Sequence, residues 1–139
     1  MLAYLTGSNK EMPHHKTFYN AYEFARDVED AECRKIICED FLSTHYIDEV
    51  KQVLELILKK ARIGATVIIS EKDIQTVSRQ IYRDSVDVLE LNKVLFNQKT
   101  SVKSMLSMEA VESLIPSNFV IKSKEYGSVC FTIALERIK

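Results

Sequence analysis

The chain lacks what would mark it for a special environment. No apolar run approaches the roughly 18 residues of a membrane span, because Lys, Arg, Glu or Asp keeps interrupting. No charge of one sign dominates: 19 basic and 20 acidic residues give a net charge of -1, without the electrostatic signature of nucleic-acid binding. The N-terminus has no basic region followed by an apolar stretch and a small-residue cleavage site, which predicts a protein that is not secreted. Only three cysteines occur, Cys33, Cys38 and Cys130, an odd number without metal-ligand spacing. They read as reduced thiols of a cytoplasmic protein, with Cys38 and Cys130 acting as small hydrophobes inside strands. His14 and His15 are adjacent and would point differently on any regular element, so a solvated loop is expected and no metal. Three glycines and two prolines leave no low-complexity segment, and no internal repeat is visible.

What is present suits a single domain over residues 1–139, with 46% hydrophobic and 28% charged residues. "LAYLTGSN" predicts a short strand ending in a turn around residues 6–9, followed by a polar loop with Pro13. "TFYNAYEF" predicts a second short strand and "ARDVEDAECR" a surface turn. "KIICEDFL" predicts a strand ending at Glu39 and Asp40. Ile47, Val50, Val53, Leu54, Ile57, Leu58 and Ala61 then recur at helical spacing, the apolar stripe of a helix packed on a sheet and ended by Gly64. "ATVIIS" predicts a parallel strand buried on both faces, completing a βαβ unit. Residues 73–106 form a helical insert and loop. Asp73 caps its first helix and "DSVDVLELNKVLFN" is its second, with Val86, Leu89 and Val94 apolar. Ser107 caps a helix that Pro116 terminates, and two β-rich runs around Gly127 predict a closing antiparallel hairpin.

This order of elements, with the segment "IICEDFLSTHYIDEVKQVLELILKKARIGATVIIS" and the tail "LSMEAVESLIPSNFVIKSKEYGSVCFTIALERI", resembles the class I S-adenosylmethionine-dependent methyltransferases. The turn "KKARIGATVIISEKD" has one Gly where that family usually has two, and Asn118 stands where it usually has Gly. The resemblance covers residues 33–137 well and 1–32 weakly. It implies a reduced Rossmann-like α/β sheet, mostly parallel with a C-terminal antiparallel hairpin, of a short kind also known from bacteriophages.

The resemblance also implies where S-adenosylmethionine would sit. The Gly-rich turn after the first strand corresponds to "LTGSNK", which places Thr6, Gly7 and Ser8 at the cofactor. Gly7 is its only glycine, although glycine is what lets backbone approach a ligand closely. The ribose carboxylate corresponds to Asn20, an amide without the charge assistance of an acid. Cys38, Glu39 and Asp40 would lie at the carboxyl edge, where open α/β sheets bind ligands, although the acidic pair also suits capping or solvating the turn. Two functions are open on these terms. One is an eroded cofactor site with an interaction or assembly role. The other is an active minimal methyltransferase of unknown substrate, working mainly by positioning. The apolar content of residues 73–97 points to a cover over the ligand edge or a contact with a second chain, with Leu95 a test position.

Overall fold

The computed structural model describes residues 1–83, 87–96 and 101–139, leaving aside the side chains of Val94 and Leu95. Val86 therefore lies outside the described residues, as do the Val94 and Leu95 side chains. Strands β1 (Leu2–Thr6), β2 (Lys16–Phe18), β3 (Cys33–Glu39) and β4 (Ala61–Lys72) run parallel in one sheet. β6 (Cys130–Arg137) lies antiparallel to β4, and β5 (Phe119–Tyr126) forms a hairpin with β6. The strand order is β2-β1-β3-β4-β6-β5, the mostly parallel sheet with an antiparallel end that the sequence predicts.

Local chemistry explains where the observed elements depart from the expected ones. Residues 7–15 connect β1 to β2 with fewer than the dozen or so of a usual crossover, and they contain Pro13, so no helix forms there. The predicted strand over "TFYNAYEF" stops at Phe18. Asn20 then accepts the Glu23 N–H at 2.8 Å and caps helix α1 (Ala21–Asp27), where the sequence suggested strand and turn.

Helix α2 (Val50–Lys60) buries Val50, Leu54, Ile57 and Leu58, but Ile47 is 64% exposed and precedes the helix. The residues after β3 first make a single 3-10 turn, Leu42–Thr44, so the helical stripe starts one turn later than its spacing suggested. Gly64 does not end α2. It lies inside β4 with φ +77°, where Cys33 and Lys35 pair with Ala61 and Thr66 and the extra residues bulge out. Lys59 and Lys60 both reach Asp30, tying the end of α2 to the turn before β3.

Helices α3 (Ile74–Tyr82) and α5 (Met108–Glu112) are capped by Asp73 and Ser107 as expected, and α4 (Val88–Leu95) by Asp87. Val77 and Leu91 form a small cluster with Met105 and Val129. The main core is one-sided. Ala3, Leu5, Ile36, Cys38, Val67, Ile69, Ile133 and Leu135, from one face of the sheet, pack with Phe24 of α1, Leu54 and Ile57 of α2 and Val111 of α5. On the other face Tyr4, Ile37, Ile68 and Ala134 lie side by side outside that core, Tyr4 buried and the other three half-buried. β4 is therefore not buried on both faces as its near-continuous apolar run suggested.

Candidate functional site

Parallel pairing aligns the ends of β1 and β3, with Leu5 opposite Cys38 and Thr6 opposite Glu39, while β2 ends beside Leu5. The residues named for the cofactor thus gather at one carboxyl edge. Each is already engaged by the protein itself.

Gly7 carries no side chain because the chain's own backbone fills the space. A Cβ there would stand 2.2 Å from the Asp40 carbonyl oxygen and 2.5 Å from the Thr44 methyl. Thr6 is fully buried, and its hydroxyl lies 3.0 Å from that of Ser8 and accepts the Ser8 N–H. Cys38 is fully buried, and burial pushes its thiol far up from its ordinary value, so it is an inert core group. Asn20 is spent as the cap of α1.

The acidic pair is held from both sides. Glu39 accepts the Tyr4 hydroxyl at 2.8 Å and the Lys10 ammonium at 2.9 Å, one on each oxygen. Burial pushes its carboxyl up. The bonds from Lys10 and Tyr4, with the charges of Lys10 and Lys72, outweigh that and hold it below its ordinary value. Asp40 has φ 49°, a left-handed conformation that its short polar side chain tolerates, and its two oxygens each lie 3.2 Å from the Lys72 ammonium.

Sequence reading missed the partners Tyr4, Lys10 and Lys72, and above all Glu71. Glu71 follows Val67 and Ile69 on the buried face of β4 and is 0% exposed. One oxygen accepts the N–H groups of Phe41 at 3.0 Å and Leu42 at 2.6 Å, capping the 3-10 turn that has no cap of its own. The other oxygen has no hydrogen-bond partner. Burial foremost, then the Asp40 charge, pushes this carboxyl up to about 8, against the opposing influence of the nearby Ser43 side chain and of the Leu42 and Phe41 N–H groups. Its signal was in the sequence: strand alternation puts Glu71 in step with apolar residues.

A cavity of about 250 Å³ lies at the opposite end of the sheet, lined by Glu55, Leu58, Lys59, Asn118 and Arg137 among others. Among the described residues no group of three or more His, Cys, Asp or Glu side chains could hold a metal ion. Nor is any helix there long and apolar enough to cross a membrane.

No protein-family model matches the chain, and no curated protein sequence matches it. Solved structures do. The chain is similar to an S-adenosylmethionine-dependent methyltransferase from Archaeoglobus fulgidus, with a TM-score of 0.56 at 11% identity, over 89% of this chain and 68% of that one. An O-methyltransferase family protein from Burkholderia thailandensis gives a TM-score of 0.63 at 11% identity, covering 90% of this chain but only 36% of its own. A protein from Pyrococcus horikoshii gives 0.57 at 13% identity, over 98% of this chain and 71% of that one. At such identities the likeness is one of architecture, and the architecture is the class I S-adenosylmethionine-dependent methyltransferase-like fold.

Proposed function

We propose that the chain is a methyltransferase-like domain whose cofactor edge is taken up by its own groups, and that it serves as an interaction or assembly protein. One observation carries this reading. Thr6, Ser8, Glu39 and Asp40 spend their side-chain oxygens on other residues of the chain, Asn20 spends its side-chain carbonyl oxygen on the α1 cap, and Gly7 spends its open side on Asp40. S-adenosylmethionine would have to displace Lys10 and Tyr4 from Glu39 and separate Gly7 from Asp40, so these residues do not fit the cofactor as they stand. The exposed apolar side chains of α3, of α4 and of Phe96 just after it supply a contact surface, with Tyr82 89%, Leu89 70% and Phe96 62% exposed. The three free thiols, two of them buried, suit a reducing cytoplasm.

Calorimetric titration of the chain with S-adenosylmethionine and S-adenosylhomocysteine tests the first half, and no heat of binding is expected up to millimolar ligand. Micromolar binding would overturn it and favour the active minimal enzyme. For the second half, Leu89→Glu replaces a described, exposed residue, whereas the side chain of Leu95 lies outside the described residues. The change is expected to reduce self-association or partner capture. Sedimentation as a monomer before and after it would exclude self-association.

A further inference from the structure

Three contacts converge on the 3-10 turn after β3. From beneath, Glu71 of β4 accepts the N–H groups of Phe41 and Leu42. From above, the Ser43 carbonyl accepts the N–H groups of Lys103 at 2.8 Å and Ser104 at 3.1 Å. Farther along, the Ile74 N–H donates to the Leu106 carbonyl at 2.8 Å, and Lys103 Nζ stands 4.9 Å from the centre of the Tyr46 ring. Residues 103–106 are thus a strap fastened to the turn at one end and to the end of β4 at the other. Inside this arrangement three buried oxygens lack partners: one oxygen each of Glu71 and Asp73, and the hydroxyl of Ser104.

We infer that Glu71 is a proton-operated latch: neutral, it keeps the strap from Lys103 to Met105 closed on the turn at the carboxyl edge, and ionised, it releases that strap. A carboxylate oxygen without water or a donor is costly in a dry interior. Ionisation therefore favours any opening that hydrates it. β3 and β4 cannot yield, because Cys38, Val67 and Ile69 beside Glu71 belong to the main core. Phe41 and Leu42 of the turn and Leu106 of the strap belong to that core as well, so the part that can yield is the strap from Lys103 to Met105, which its hydrogen bonds to the Ser43 carbonyl hold.

The surrounding charges act in the same direction or are already paired. Asp40, at the end of β3, repels an ionised Glu71 and is itself paired with Lys72. Cys38 contributes only an un-ionised thiol. At the end of β4, Asp73 caps α3 with one oxygen, and its other oxygen is buried without a hydrogen-bond partner. His45, in the segment after the turn, lies 3.2 Å from the Phe41 carbonyl, and Lys103 of the strap lies over Tyr46. None of these places a cation on the second oxygen of Glu71. The latch is independent of whether the edge binds a cofactor.

Amide hydrogen exchange on the full chain tests this at about pH 6 and about pH 9, after correction for the intrinsic pH dependence of exchange. The Lys103 and Ser104 amides are expected to lose about tenfold or more of their protection at the higher pH, while the Val67 amide keeps its own. Glu71→Gln retains an acceptor for Phe41 and Leu42 but cannot ionise, so its strap amides should stay protected at both values. Equal loss in the parent and in Glu71→Gln, or no loss in the parent, would overturn the latch. Should Glu71→Gln fail to fold, the ¹³C shift of the Glu71 carboxyl in the parent decides. Titration together with the loss of protection supports the latch, and a carboxyl already ionised at about pH 6 refutes it.

Discussion

Gly7 shows how a glycine expected at a ligand is used against the chain's own backbone. Its φ is not positive, so the constraint is space and not conformational freedom. Gly7→Ala would drive a methyl group into the Asp40 carbonyl, and the overpacking should cost about 1–3 kcal/mol or more in denaturant unfolding. An unchanged midpoint would show that the two loops do not touch. Glu39 makes a different prediction. Its carboxyl is held below its ordinary value, so its contribution is present above that value and is lost as pH falls through the lowered one. Lys10→Ala should raise the Glu39 carboxyl in an NMR titration and flatten the acid limb of the stability profile. The pair is partly solvated, with side-chain exposures of 62% and 32%, so the loss should stay under about 1 kcal/mol. A Glu39 titration that ignores the substitution would exclude the ion pair.

At the level of elements, α2 separates what periodicity predicts from what it does not. Leu54 is fully buried, and Leu54→Ala should cost about 2–5 kcal/mol. Ile47→Ala should cost less than about half a kcal/mol, because Ile47 precedes the helix and faces solvent. Chemical denaturation of the two variants checks both, and a large loss at Ile47 would mean that the helix begins earlier. Local signals were legible: Asp73 and Ser107 cap α3 and α5 through their own side chains, and the turn at Gly127 joins β5 to β6. Signals that depend on a distant partner were not. The cap of the 3-10 turn comes from Glu71, about thirty residues away, and the partner of Glu39 comes from the loop after β1. The positions of Thr6, Gly7, Cys38, Glu39 and Asp40 at one edge were readable from the strand order. Their mutual engagement was not, because it depends on how the short 7–15 connection folds back.

For the whole molecule, the one-sided core divides the sheet into two populations of residues. Adjacent positions on β4 belong to opposite populations: Ile69 is fully buried in the core, and Ile68 is half-buried on the face away from it. Ile69→Ala should cost about 2–5 kcal/mol and Ile68→Ala about 1 kcal/mol or less, as measured by thermal or denaturant unfolding. Equal costs would mean that a second layer covers Ile68. The same asymmetry sets how the sequence can drift. Saturation mutagenesis with a folding reporter should give a tolerance map that alternates residue by residue along β3, β4 and β6, strict at Ile36, Val67 and Leu135 and permissive at Ile37, Ile68 and Ala134. Such a map would leave the second face, Tyr4 apart, freer to accumulate change while the fold stays recognisable, which is consistent with sequence identities of 11% to structures of the same architecture.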